Sequence, residues 1–494
     1  MLLYRCLFSF MLLSLVSCAV TPPPRVAELD IPTTWSEKTD HGQETKALLL
    51  SLWWTTFNDP VLTSLIDQGV TANRDLREAT ARVRETRALR TIAASDRWPQ
   101  IGSGASYTRS LGSSNTISSS FSGSGQGTGD DSTSTNGTSS SSGNSFGIGE
   151  ERDFFQSRFD ASWELDIFGR VHWSVKAAEA DIAAAQENHR NVLVSLLAEI
   201  ARNYIELRGF QHRLVIARNN IQAQQDSVDV TTERFEAGIT SAQDVAQAEA
   251  LLATTRSQIP TLQTGVRQSS HRLGVLIGQP PGTLLDELSQ AAPIPTTELD
   301  GTLGLPSDLL RRRPDIRQAE RELAAATARL GVAMADLYPR FSLTGLVGLQ
   351  SLDVTDLISW PSRTWTIGPS VSWPVFDAGR IRATIRAQDA RQEQALARYE
   401  QAILTSLEEV ENALVAYIRE RVRQRWLSDA VKASREATDV ASERYRSGLE
   451  NFLNVVVAQR SLYDSQDALA QSEIAIASNL VALYKALGGG WVAR

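Results

Sequence analysis

Ser162-Trp163-Glu164-Leu165-Asp166-Ile167-Phe168-Gly169-Arg170-Val171 returns later in the chain as Ser372-Trp373-Pro374-Val375-Phe376-Asp377-Ala378-Gly379-Arg380-Ile381. The offset holds downstream, where Glu233-Arg234-Phe235 with Gly238 maps onto Glu443-Arg444-Tyr445 with Gly448. Upstream, Asp75-Leu76-Arg77-Glu78-Ala79 matches Asp315-Ile316-Arg317-Gln318-Ala319, and Trp98-Pro99 matches Tyr338-Pro339. The wider spacing in the first copy is taken up by a Ser/Gly-rich stretch near residues 112–149. A repeat of this length is one structural unit used twice, so function belongs to what the two copies build together.

Each copy reads as a helix stopped at Trp-Pro or Tyr-Pro, two strands, and a long helical hairpin. Phe155, Ser157, Phe159, Ala161, Trp163, Leu165 and Ile167 interleave with Gln156, Arg158, Asp160, Ser162, Glu164 and Asp166, a period of two. The second copy alternates likewise through Trp365, Ile367, Val371, Trp373 and Val375. Strands are expected over about 100–111, 154–168, 340–350 and 364–376. Between Arg380 and Ser447 there is neither Gly nor Pro, and between Arg170 and Ala237 only Gly209 intervenes. A helix of about 65 residues would be roughly 100 Å long, far beyond what a globular domain uses. Gly238 and Gly448 can take the left-handed conformation that ends a helix. Hairpins are expected over about 170–277 and 380–487.

Residues 1–17 read as a signal peptide: Arg5, then the apolar run from Leu7 to Leu13, too short to span a bilayer. The ending Leu15-Val16-Ser17-Cys18 looks like a bacterial lipobox, which would leave Cys18 at the new N-terminus carrying covalent lipid. Cys6 would depart with the signal, so no disulfide is expected in the mature monomer. Ala19 after the lipidated cysteine resembles lipoproteins sorted to the outer membrane. No other segment is long and apolar enough for a membrane helix. A closed β-barrel is the remaining way across, because every backbone group must be paired in lipid. Four strands cannot close, since the smallest barrels have about eight. The barrel must therefore be shared between chains, in a number that this reasoning leaves open.

The motifs then carry a resemblance that spans essentially the whole mature chain. They are Trp53-Trp54 with Phe57, Asp59 and Pro60; Gly304-Leu305-Pro306-Ser307-Asp308-Leu309-Leu310 followed by Arg311-Arg312-Arg313-Pro314-Asp315-Ile316; Arg444-Tyr445-Arg446-Ser447-Gly448; Ala458-Gln459-Arg460-Ser461-Leu462; and Leu483-Tyr484-Lys485-Ala486-Leu487-Gly488-Gly489-Gly490-Trp491. In this order they resemble the TolC family of outer-membrane channels, in its lipoprotein branch of NodT/OprM type. The resemblance implies an α+β membrane protein: a homotrimer with a twelve-strand β-barrel, four strands per chain, continuous with a periplasmic α-helical barrel. It further implies an equatorial belt. The organisation expected is residues 18–60 as lipid-anchored N-terminal segment, 61–277 as first repeat, 278–312 as equatorial linker, 313–487 as second repeat and 488–494 as tail.

Small residues along the helices (Ala177, Ala178, Ala183, Ala184 and Ala185; Ala387, Ala390, Ala395 and Ala397) allow close helix approach. The abundant Gln, Asn, Asp and Glu are free to line a lumen, and sequence does not say which face they occupy. The Ser/Gly stretch reads as an extracellular loop whose composition buries too little to order itself. His41, His172, His189, His212 and His271 are scattered without metal-ligand spacing. Glu408, Glu409 and Glu411 read as solvated or lumen charges. A net charge of −8 disfavours nucleic acid. No enzyme and no cofactor, apart from the lipid, is expected.

In the family the hairpin tips close an aperture, which directs attention to Gly238 and Gly448. By the resemblance Arg234, Arg444 and Tyr445 fall in the turn motif, where hydrogen bonds or ion pairs between hairpins would hold the tip shut. Asp244 stands where the first hairpin supplies an acidic side chain to a carboxylate ring; its other reading is a charge favoured at a helix start. The second hairpin departs from the pattern: Val457 replaces the usual aspartate, and Asn454 aligns with Asp244. The function implied is the exit duct of a tripartite efflux pump, with a periplasmic adaptor and an inner-membrane transporter of the resistance–nodulation–division type as partners. The alternatives are a type I protein-secretion exit and a lipid-anchored periplasmic scaffold.

Overall fold

The computed structural model describes residues 20–36, 50–111, 151–297 and 306–491. The signal peptide, Cys18, His41, the Ser/Gly stretch, part of the equatorial linker and the last residues of the tail lie outside these.

The repeat is exact in helix length. A 22-residue helix opens each copy, α2 (Arg74–Ser95) and α5 (Pro314–Ala335). Each then has a 67-residue helix, α3 (Arg170–Glu236) and α6 (Arg380–Arg446), and a 35-residue return, α4 (Ala242–Leu276) and α7 (Phe452–Ala486). A shorter helix, α1 (Pro60–Ala72), precedes α2, and Asp59 caps it by accepting from Val61 and Leu62 N–H. No helix among the described residues is long and apolar enough to cross a membrane.

The chain divides into two compact units, the first holding residues 92–173 and 331–383. Its centre is one antiparallel sheet in the order β1 (Gln100–Leu111), β2 (Glu151–Leu165), β3 (Arg340–Ser351), β4 (Arg363–Ser372). The register aligns Ser103, Phe159, Val347 and Trp365 across all four strands, and Ile101, Ala161, Gly345 and Ile367 beside them. That face is apolar. The opposite face carries Asp160, Arg158, Thr344, Thr364 and Ser370. Among the described residues of one chain this face is left exposed: Phe159 is 58% exposed and Trp365 71%. β1 and β4 are both open edges, and Pro369 is tolerated in β4 because an edge strand can lack an N–H.

Two strands end earlier than the alternation suggests. β2 stops at Leu165, not 168, because Asp166 turns to cap α3, accepting from Val171 and His172 N–H. β4 stops at Ser372, not 376, because its partner β3 begins only at Arg340, the residue paired with Ser372. The repeat is legible even in side-chain contacts. Trp163 donates its indole N–H to the Arg97 carbonyl at 2.9 Å, and Trp373 donates to the equivalent Leu337 carbonyl at 3.1 Å.

The second unit holds residues 22–91, 174–330 and 384–494. Its main core joins Trp53, Trp54 and Phe57 to Leu196–Leu207 of α3, Leu273–Ile294, Val410–Tyr417 of α6 and Ile476–Leu487. Trp53 stacks on Tyr484 at 5.3 Å, so the early Trp-Trp motif and the late Leu-Tyr-Lys motif are halves of one packing unit. Residues 22–36 run along α6, with Arg25 on Asp389 at 2.9 Å and the Ser36 N–H on Glu411 at 2.8 Å. Glu409 meets Arg313 at 2.7 Å. The carboxylates of Glu409 and Glu411 therefore serve structural contacts to separate partners.

Arg313, in the Arg-Arg-Arg-Pro-Asp motif, is 7% exposed. It pairs with Asp315 and Glu409 and donates to the Ala486 carbonyl at 3.0 Å, tying the start of the second repeat to the end of α7. Hydrogen bonds to charged groups contribute about 1.5–3 kcal/mol each. Arg313→Met is expected to lower stability by roughly 2–3 kcal/mol, read as a lower melting temperature of the detergent-solubilised protein; an unchanged transition would contradict this role.

Candidate functional site: the hairpin turns

Both long helices end in the same way. Gly238 has φ +71° and Gly448 φ +73°. The N–H of Ile239 reaches the Arg234 carbonyl at 2.8 Å and that of Leu449 the Arg444 carbonyl at 2.9 Å, the six-residue closure of a glycine-terminated helix. Each return helix is then capped. Ser241 and Asp244 form a reciprocal capping box, and the Asn451 side chain accepts from Leu453 N–H at 3.1 Å.

Only two of the sequence-derived residues meet across the hairpins. Arg234, at the end of α3, donates to the backbone carbonyls of Tyr445 and Arg446 in the second hairpin at 2.8 and 3.1 Å. Its guanidinium carbon lies 4.8 Å from the centre of the Tyr445 ring. Tyr445 is 6% exposed, packs on Phe452 at 5.0 Å, and its hydroxyl has no hydrogen-bond partner among the described residues. The contact is thus made by the tyrosine's ring and backbone, and its hydroxyl contributes none of it. Val228, Ala248, Leu252 and Val455 complete the small apolar cluster around that ring.

The other candidates are placed differently. Arg444 pairs with Glu450 at 3.1 Å, inside its own hairpin, and Asn454 donates to the same carboxylate. The hydrogen bond from Asn454, and after it the Arg444 contact, holds the Glu450 carboxyl below the usual range. Glu450 is not singled out by the sequence: it lies in the turn before α7, outside the helix, where no helical spacing marks it. Asp244 accepts from Ser241 N–H at 3.3 Å and from the Thr240 hydroxyl, which is the helix-start reading of this residue. Val457 is 59% exposed. Beside the Tyr445 ring lies a cleft of about 490 Å³, lined by Asp226, Thr438, Asp439, Glu443 and Gln459 among others. Among the described residues no group of three His, Cys, Asp or Glu could hold a metal.

A four-stranded sheet with one apolar face and two open edges, repeated strand–hairpin units and glycine-turned tips define a subunit of an outer-membrane channel. The model of the outer membrane efflux protein family matches residues 65–279 and 305–489. The nodulation protein T of Rhizobium leguminosarum bv. trifolii is 32% identical over 485 residues, which cover 98% of this chain and 96% of that protein. The pyoverdine export outer membrane protein OpmQ of Pseudomonas aeruginosa is 32% identical, covering 97% of this chain and 95% of that one. The solved outer-membrane channel OprN superimposes with a TM-score of 0.83 at 36% identity, over 96% of this chain and all of that one. The chain belongs to the outer membrane efflux protein family, in its TolC-like NodT/OprM-type branch, and is a protein of the outer membrane.

Proposed function

We propose that three copies of this chain form the outer-membrane exit duct of a tripartite efflux pump, conducting small toxic compounds outward without doing chemistry on them. The observation that carries this reading is the sheet: four strands whose apolar face is bare and whose two edges are unpaired. In lipid each unpaired backbone group costs several kcal/mol, so β1 of one copy must pair with β4 of the next until the ring closes. Twelve strands can close into a barrel, and six hairpins, two from each chain, can surround an axis with near-equivalent packing. Relatives named for pyoverdine export support a small-molecule cargo. The partners are a periplasmic adaptor and an inner-membrane transporter of the resistance–nodulation–division type. Native mass measurement of the membrane-extracted protein is expected to give a trimer, and a stable, folded, membrane-inserted monomer would overturn the reading.

Cys18 carries the lipid in this proposal. Labelled fatty acid is expected in the wild-type protein and absent from Cys18→Ser, and equal labelling of both would remove the anchor. The variant should retain most transport, because the closed barrel holds the trimer in the membrane independently of acyl chains.

The aperture lies at the turns, where Gly238 and Gly448 let the helices reverse and where an adaptor would contact the tips. Arg234 and Tyr445 are its latch. Arg444 and Asn454 act one step away, by fixing Glu450 and so the shape of the second turn. At the two ring positions Asp244 and Val457 give one carboxylate per chain, so the ring they form is thin.

A further inference from the structure

The cleft beside Tyr445 is built by three helices of one chain. Its inner side is apolar: Tyr445 at the end of α6 and Phe452 and Val455 of α7 are each at most 6% exposed. Its solvent side carries three exposed carboxylates, Asp226 of α3 with Asp439 and Glu443 of α6, against one guanidinium, Arg446. On α6 the two acids stand four residues apart, so both project from one face of the helix. The volume of about 490 Å³ falls within the roughly 300–1,000 Å³ of small-molecule sites.

Two polar atoms of this lining have no hydrogen-bond partner among the described residues, the Tyr445 hydroxyl and the Gln459 carbonyl oxygen. Their residues are only 6% and 7% exposed. The Gln459 amide nitrogen is committed, donating to Ser227 at 2.8 Å, and the oxygen of that amide can only accept. Native proteins pair nearly every such buried group, so the Gln459 oxygen calls for a donor that the described chain does not supply. Among the described residues Asp439 and Glu443 form no ion pair, and Asp226 accepts from Gln222 at 3.0 Å. A cleft lined by an excess of one sign of charge concentrates the opposite ion. Its carboxylates repel an anion, and a neutral ketone or ester brings no donor for Gln459.

We infer that this cleft binds a small organic ammonium ion with an apolar body. The charged nitrogen lies among Asp226, Asp439 and Glu443, the body rests against Tyr445, Phe452 and Val455, and an N–H of the ligand meets the Gln459 oxygen. The site belongs to a single chain and is independent of the exit-duct reading, so binding and not conductance tests it.

Dansylcadaverine is the probe: it joins a primary ammonium ion, a sulfonamide N–H and a flat apolar ring whose fluorescence rises on leaving water. Its N-acetyl derivative is the neutral control. Both are titrated against the full-length protein in non-ionic detergent, with protein-free micelles as the blank. Saturable binding of the amine is expected, about tenfold tighter than that of the acetylated probe. Asp439→Asn combined with Glu443→Gln should weaken the amine about tenfold, two charge pairs being lost, and leave the acetylated probe unchanged. Asp229→Asn removes a carboxylate of α3 outside the cleft and should change neither affinity. Gln459→Met should weaken both probes, because each carries the sulfonamide donor. Should that variant fail to fold, having lost its bond to Ser227, the exposed Asp439–Glu443 pair still decides the question. No saturable binding, equal affinity for the acetylated probe, or an affinity unmoved by the Asp439–Glu443 change would overturn the inference.

Discussion

Arg234→Ser combined with Tyr445→Ala is expected to raise single-channel conductance at least several-fold and to make cells expressing the protein admit large antibiotics. Each chain loses two hydrogen bonds from a guanidinium to backbone carbonyls and one cation–ring contact. At about 0.5–1 kcal/mol for an exposed cation–π contact, and with the bonds to Arg234 stronger than neutral ones, the latch in one chain is modest. Repetition around the trimer multiplies it, and a two-state aperture responds to the sum. Tyr445→Phe alone should have little effect, because the hydroxyl bonds nothing among the described residues and the ring and carbonyl remain. The same comparison separates this latch from one built on the tyrosine hydroxyl. Conductance unchanged in the double variant, with trimers still assembled, would move the constriction toward Asp244 and Val457.

Gly348→Ala is expected to abolish assembly of heat-resistant trimers, whereas Gly345→Ala should be tolerated. Both glycines lie in the central strand β3. A Cβ at Gly348 would stand 2.4 Å from the Ser157 carbonyl oxygen and 2.9 Å from the Arg158 Cα, backbone atoms of the paired strand β2. Neither can withdraw without breaking the ladder, and the loss falls on every copy of a closed barrel. A Cβ at Gly345 meets nothing nearer than 3.9 Å. Electrophoresis of unheated membrane extracts reads the difference. Equal trimer yield from both variants would mean that β2 and β3 can separate locally without opening the barrel.

How much of this is legible in the chain follows from how local each signal is. The strands show because alternate residues face opposite ways, and the register sets Phe159, Val347 and Trp365 in one row. The long helices show because Gly and Pro are missing, and their ends because Gly238 and Gly448 stand where the chain must turn with φ positive. The ends of β2 and β4 depart from the alternation for structural reasons: the cap at Asp166 competes with it and wins, and β3, the partner of β4, begins only at Arg340.

The sequence by itself determined the repeat, the strand and helix content, the turns and the family, because each rests on spacing along the chain. Only the tertiary structure decided which side chains meet at the turns. Arg234 bonds a carbonyl 211 residues away, while Arg444, its equivalent in the repeat, bonds a carboxylate in its own hairpin. Asp244 caps its helix and Val457 is exposed, placements that spacing along the chain does not give. Asn220, Gln224 and Gln459 are polar in any reading, yet a polar residue on a long helix can face water, a lumen or another helix with the same periodicity. The partner helix decides among these, and its approach is set by packing between segments hundreds of residues apart.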